Sequence, residues 1–237
     1  MKRHRLGQHY LNDPDTIHGI VAFARIRPSE RVLEIGTGRG ALTRELAETG
    51  KSLVGYEVDH DNFDATKVAV EGTRARIRLG DAFKQKPQFD VLVSSLPFSE
   101  STTFVQWLSG IRFSRAIVVL QEDFVNKITA PPGNRDYRGI SALVQIAFEI
   151  RRLGRVDRKS FSPPPRVDSD IVLFTPFRTL SPAEVSNIML LFSLRRRQVC
   201  SALASLGMSC RHDYGQRRVF SLLPEEVHEL CRPEGGQ

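Results

Sequence analysis

The stretch RVLEIGTGRGALTRELAETG, residues 31 to 50, decides the fold. Arg31-Val32-Leu33-Glu34-Ile35 is a short apolar run that reads as a buried strand. It ends in Gly36, Gly38 and Gly40, alternating with Thr37 and Arg39, and a helical pattern follows that Gly50 closes at a C′ position. Strand, glycine turn and helix form the opening unit of a doubly wound α/β sheet. Glycines at that turn let the backbone take positive φ and pass close to a ligand.

Working outward, the same alternation continues. Residues 15 to 26 have apolar side chains at helical spacing after an Asn-Asp-Pro start signal. SLVGYEVD and ARIRLGDAF read as strands ending in acids, with a helix over 61 to 71 between them. FDVLVSS and Ala116–Leu120 are further strands, separated by a helix over 101 to 110. Residues 122 to 130 read as a short helix and SALVQIAFEIRRLGRV as one long apolar segment. This is the rhythm of βαβ units and predicts a mostly parallel sheet. SFSPPPRVDSDIVLFTPF is a proline turn before one more strand. Beyond about residue 178 the pattern turns helical: SPAEVSNIMLLFSLRRRQVCSAL starts with a Ser-Pro-x-Glu cap and reads as a long helix, and RRVFSLLPEEVHELC as two shorter pieces. The expected organisation is an α/β domain over 1–178 and a small all-α domain over 179–237.

The chain has 237 residues, 41% hydrophobic and 26% charged, which fits a globular fold with one sizeable core. Its net charge of +7 favours anionic partners, nucleic acid first among them. Three cysteines, Cys200, Cys210 and Cys231, form no paired framework and point to a reducing compartment. With His212 they lack a C-x-x-C pair, so no zinc site is expected. The N-terminus lacks the apolar core of a signal peptide, and no run approaches the length of a membrane span.

The strand ends carry the chemistry. The glycine loop departs from the dinucleotide fingerprint G-x-G-x-x-G, with Ala41 at its last position, a replacement that pattern sometimes accepts. E-x-G-x-G after an apolar strand is also the form used by S-adenosylmethionine (SAM) methyltransferases. Glu57 lies 17 residues beyond Gly40, placed to accept hydrogen bonds from ribose hydroxyls. Asp81, in Gly80-Asp81-Ala82, can accept from the exocyclic amine of adenine. Either acid alone could as well cap a helix, but acids and glycines at three consecutive strand ends describe a nucleoside site. The fourth strand ends in Ser94-Ser95-Leu96-Pro97-Phe98. Proline stops the strand and frees the carbonyl before it. That carbonyl and the Ser95 side chain could hold the hydrogens of an amine whose lone pair is delocalised into a ring, while Phe98 stacks on a flipped base.

With these motifs in order, the chain resembles the rRNA adenine N6,N6-dimethyltransferases, the KsgA/Erm-type family. The likeness runs from Arg5 to about Leu223. LGQHYL resembles F-G-Q-N-F-L, EIGTGRGALT resembles E-I-G-P-G-x-G-x-L-T, and SSLPF resembles N-L-P-Y. LQEDFVNKI is similar to L-Q-x-E-V-x-x-R, FSPPPRVDS to F-x-P-P-P-K-V-D-S, and SLRRRQVCSAL to F-x-x-R-R-K-x-L-x-x-x-L. The last two point to the branch that modifies two adjacent adenosines in a hairpin loop near the 3′ end of small-subunit rRNA.

The resemblance implies that SAM is held by Gln8, His9, Leu11, Gly36, Thr37, Gly38, Glu57, Val58, Asp81, Ala82 and Ser95. It implies a catalytic set of Ser95, Leu96, Pro97, Phe98 and Phe161, in which Phe161 closes the second face of the target base. No metal is implied. It further implies a monomeric, cytoplasmic protein, not membrane-bound, whose partner is small-subunit rRNA within the pre-small ribosomal subunit. The departure is Ser95, where the family has Asn: a hydroxyl replaces an amide with both acceptor and donors. The alternative this opens is an assembly factor of the same fold that binds RNA with little catalysis. The basic runs 2–5, 151–152, 195–197 and 217–218 are expected to meet phosphates.

Overall fold

The computed structural model describes residues 9–210 and 214–233. In chain order the elements are β1 (Tyr10–Leu11), α1 (Pro14–Ala24), β2 (Arg31–Ile35), α2 (Ala41–Ala47), β3 (Ser52–Glu57), α3 (His60–Ala69), β4 (Arg76–Leu79) and β5 (Val91–Ser95). They continue with α4 (Ser101–Ser109), β6 (Arg115–Gln121), α5 (Glu122–Ile128), α6 (Gly139–Ala147), β7 (Phe148–Val156), β8 (Phe161–Ser162), β9 (Ser169–Pro176), α7 (Pro182–Ser193), α8 (Val199–Ser205) and α9 (Pro224–Cys231).

The chain forms two compact units. The first comprises the chain up to Phe104, Phe113–Glu122 and Ile150–Thr175; the second comprises Val105–Arg112, Asp123–Glu149 and the chain from Pro176. The second unit's last segment begins beside the expected boundary at 178. The unit also draws in two earlier segments: α6 packs against α7 and α9, and the Ser109 carbonyl accepts from the Leu180 N–H at 2.8 Å.

The first unit is built on a sheet of order β4-β3-β2-β5-β6-β9-β7. Strands β4 to β6 in that order are all parallel to their neighbours, and β9 runs antiparallel to β6. The chain winds outward from β2 through β3 to β4 in one direction and from β5 to β6 in the other. The order therefore reverses between β2 and β5, and ligands of such sheets bind at the carboxyl ends of the strands flanking that reversal. Val91 to Val93 and Val32 to Ile35 are buried without alternation, as expected of strands covered on both faces. Helices α1, α2 and α3 pack on one another in sequence and against this sheet.

Side chains fix both ends of the β2–β5 pair. At the entry, Arg31 donates to Asp90 from its backbone N–H (2.8 Å), Nε (3.0 Å) and Nη2 (2.9 Å). Hydrogen bonds and charge from Arg31 hold the Asp90 carboxyl at about 2. At the exit, the buried Ser94 hydroxyl donates to the carbonyl of Ile35 at 2.5 Å.

The second unit is helical. Ser181 and Glu184 cap the start of α7 reciprocally, the Glu184 N–H donating to Ser181 Oγ (3.2 Å) and the Ser181 N–H to Glu184 Oε2 (2.8 Å). Tyr137 is fully buried with its ring 5.3 Å from that of Phe192.

Three expectations change. The long apolar segment is helix α6 followed directly by strand β7. The long helix through the arginine run is two helices: α7 stops at Ser193 and α8 begins at Val199. The carbonyls of Arg195 and Arg197 accept from the N–H groups of Phe220 and Val219, so a distant segment takes up the groups that a continuous helix would have satisfied. Finally, Cys200 and Cys210 form a disulfide, which corrects the expectation that the three cysteines form no pair: an odd count leaves room for one local bridge across ten residues. Cys231 is free and buried. Among the described residues, no helix is long and apolar enough to cross a membrane.

Candidate active site

One cavity of about 240 Å³ lies at the carboxyl ends of β2, β3, β4 and β5, within the first unit. Gly36 and Gly38 form its floor, both at positive φ (74° and 56°). A side chain at Gly36 would meet Pro97 Cδ at 3.5 Å, and one at Gly38 would meet the Tyr10 ring at 3.3 Å. The contact at Gly36 is ordinary and that at Gly38 only tight, so it is the positive φ at both positions that calls for glycine in this cradle. The N–H groups of Gly36 and Thr37 donate back to the Tyr56 carbonyl at 2.8 and 3.3 Å, which locks the turn onto β3.

Glu57, at the end of β3, is 5% exposed and lines the cavity. Its Oε2 accepts from the Gly38 N–H (2.8 Å), and its Oε1 accepts from Val58 (2.8 Å) and Asp59 (3.0 Å). These bonds use three of a carboxylate's roughly four acceptor positions and leave the last, on Oε2, for a ligand hydroxyl. Burial raises the Glu57 carboxyl above the usual range, against the pull of those three amides. Behind it on β2, Glu34 is fully buried, its Oε2 lacks a hydrogen-bond partner, and burial together with the Glu57 charge raises its carboxyl to about 8.

Asp81 and Ala82 line the cavity after β4. Asp81 Oδ1 accepts from the Phe83 N–H at 2.9 Å, and Oδ2 faces Lys84 Nζ at 3.6 Å. The cap that a lone acid could have formed is thus present, and the same side chain also borders the cavity. Val58 lies at the rim, 58% exposed. Ser95, Leu96 and Pro97 close the cavity at the end of β5.

Not every expected residue reaches it. Thr37 is buried and turned away, its hydroxyl 3.1 Å from that of Thr66. Leu11 belongs to the hydrophobic core. Gln8 lies outside the described residues. Phe98 stands beside the cavity, its ring 5.5 Å from the His9 ring and 6.3 Å from Phe161. Phe161 is 2% exposed and meets Phe98 edge-on, so it braces that ring from the core and offers no open face to a base. The physical reason is the β1–β8 ribbon, which pairs Leu11 with Phe161 and draws both inward.

Sequence reasoning missed part of the lining. Tyr10 covers Gly38, its hydroxyl donates to Asn62 Oδ1 at 3.2 Å, and the Arg39 guanidinium lies 4.6 Å from its ring centre. Its place inside LGQHYL was the available signal. Glu100 and Tyr56 also line the cavity, and nothing in their local sequence marks them.

The cavity suits SAM. Apolar Ile35, Tyr56, Ala82 and Leu96 form walls, a bare glycine backbone lets a ligand approach closely, and two carboxylates are set where a nucleoside offers donors.

Comparison with known proteins agrees. The sequence profile of a family described as "Ribosomal RNA adenine dimethylase" matches residues 1–228. A "Probable ribosomal RNA small subunit methyltransferase A" of Pyrococcus abyssi is 33% identical, the match covering 95% of this chain and 89% of that protein. A "Probable dimethyladenosine transferase" of Caenorhabditis elegans is 33% identical over 95% of this chain and 73% of its own. The crystal structure of a dimethyladenosine transferase from Plasmodium falciparum superposes with a TM-score of 0.78 at 24% identity, covering 94% of this chain and 96% of that one, and so shares the fold.

Proposed function

The chain belongs to the ribosomal RNA adenine dimethylase family, and from that premise we infer how its own residues carry out the reaction. It is a SAM-dependent methyltransferase that dimethylates adenine N6 in ribosomal RNA. The observation that carries this reading is the placement of the Ser95-Leu96-Pro97 strand end in the same cavity as the Gly36–Gly38 cradle and Glu57.

Bound SAM supplies an electrophilic methyl group, taken up as the new N–C bond forms and the C–S electron pair returns to sulfur. The chain's part is positioning. Glu57 takes the ribose through its remaining acceptor position, and Asp81 borders the adenine edge. β5 ends at Ser95, before Pro97, so the Leu96 carbonyl stands outside the sheet ladder and is available to one hydrogen of the target amine. Ser95 Oγ offers a second acceptor, and Phe98 stacks on the extruded base.

The substrate is small-subunit rRNA, at two adjacent adenosines in a hairpin loop near the 3′ end, presented by the pre-small subunit. In the second unit, Arg138, Arg195, Arg196 and Arg197 line an open basin of about 540 Å³. Burial and the neighbouring Arg138 and Arg196 lower the pKa of Arg195, which fits a surface awaiting phosphate. Within this reading the protein acts as a monomer in the cytoplasm.

The test is methyl transfer from radiolabelled SAM to immature small subunits, followed by nucleoside analysis. N6,N6-dimethyladenosine is the expected product. Binding of subunits without incorporation would replace this reading by that of an assembly factor.

A further inference from the structure

We propose that His9 is a catalytic residue of this chain: its Nε2 shares with Ser95 Oγ the second hydrogen of the target adenine amine and takes the proton that methylation releases. The proposal rests on the reading above and deepens it.

The geometry fixes the tautomer. His9 Nδ1 lies 2.7 Å from the carbonyl of Pro163. A carbonyl only accepts, so Nδ1 carries the proton, and in the neutral ring Nε2 is then left as an acceptor. No described residue donates to it. The ring lines the cavity that Ser95 and Leu96 also line, and it stands 5.5 Å from Phe98, the ring expected to stack on the base. The β1–β8 pairing of Tyr10 with Ser162 and Leu11 with Phe161 holds His9 in place from the adjoining residue.

The chemistry has a use for such a group, although the methylated N6 is acidic enough to lose its proton to water as well. Transfer leaves N6 with one proton too many. The Leu96 carbonyl can accept a hydrogen bond but is too weakly basic to keep a proton, and the same holds for the Ser95 hydroxyl. Nε2 can take it and pass it to water, and the side chain is then ready for the second transfer. The other titratable groups lining the cavity are Tyr10, Tyr56, Glu57, Asp81 and Glu100. Of these, Glu57 is already held by three amides and Asp81 by its cap and Lys84.

The test combines His9→Ala and His9→Gln with Ser95→Asn, measured on the full-length chain with immature small subunits. His9→Ala is expected to lower kcat by roughly 100-fold, a much larger loss than the one it causes in SAM affinity measured by calorimetry. His9→Gln is expected to recover part of that loss, because its amide oxygen can accept but not hold a proton. In the Ser95→Asn background the loss on His9→Ala should shrink. Nitrogen-15 NMR of histidine-labelled protein should show a protonated Nδ1 and a bare Nε2. A protonated Nε2, equal losses in both backgrounds, or a fall in SAM affinity with kcat intact would each overturn the proposal. An active wild type with indifferent His9 variants would remove the role of His9 alone, whereas an inactive wild type would remove the functional reading as well.

Discussion

Ser94 Oγ donates to the Ile35 carbonyl at 2.5 Å, and both residues sit at the point where the sheet order reverses. Ile35 precedes the glycine cradle, and Ser94 precedes the Ser95-Leu96-Pro97 corner. One buried bond therefore sets the distance between the strand that holds the cofactor and the strand that presents the amine. Ser94→Ala leaves a buried carbonyl without this donor and should cost ~1–2 kcal/mol of stability. Urea unfolding measures that cost. If the clamp also sets the reaction geometry, kcat should fall more than SAM affinity does.

Glu57 makes a sharper prediction. Its carboxylate accepts from three backbone amides and retains one position for the ligand. Glu57→Gln puts an NH2 group where at least one of those amides donates, and it removes the charge that strengthens all three bonds. Loss of one charge-assisted bond is worth ~1.5–3 kcal/mol, so SAM affinity should drop about 10- to 100-fold. Calorimetric titration with SAM checks it, and an unchanged affinity would show that Glu57 serves only to fold the loop.

The strand-end logic was legible in the sequence because each of its signals is local. Gly36, Gly38, Glu57, Asp81 and Pro97 each announce themselves within a few residues, and the sheet brings them together without further instruction. The grouping of His9 with Pro163 and Phe98 was not legible, since His9 and Pro163 lie 154 residues apart and meet only through the β1–β8 ribbon. That ribbon also explains Phe161. The family resemblance implied that its ring closes over the target base, but pairing with Leu11 carries it into the core. The break between α7 and α8 was hidden for a related reason. Leu194 to Gln198 has good helix propensity, and only the distant 217–220 segment competes for its backbone.

Phe98 stands between two aromatic neighbours, His9 and Phe161, and its own environment is half-buried. Stacking on an unpaired base is worth ~1–3 kcal/mol, so Phe98→Ala should lower kcat/KM for the RNA substrate about 10- to 100-fold. Phe98→Tyr keeps the ring and should retain most of the activity. SAM affinity should be nearly the same in all three proteins, because the ring is outside the cofactor cavity. Equal losses for Ala and Tyr would argue for a packing role instead of stacking.

Glu34 predicts how the whole fold responds to pH. It is fully buried on β2 with Oε2 unpartnered, and it holds its proton up to about pH 8 against a usual 4.5. Between those values the folded chain binds more protons than the unfolded one, so stability falls as pH rises across that window. The contribution is fully present below about 4.5 and is gone above about 8. His228 works in the opposite sense: burial and Arg178 lower its pKa below the usual 6.5, so it adds stability as pH rises toward that value. Glu34→Gln preserves shape and hydrogen-bonding capacity but does not titrate. Both proteins keep His228, so the difference between their urea midpoints reports Glu34 together with its coupling to Glu57. The wild-type midpoint should fall relative to that of Glu34→Gln between pH 5 and pH 8.5, by on the order of a few kcal/mol in stability. Parallel curves would mean that Glu34 ionises in the folded chain near its usual pH, with Oε2 paired in solution.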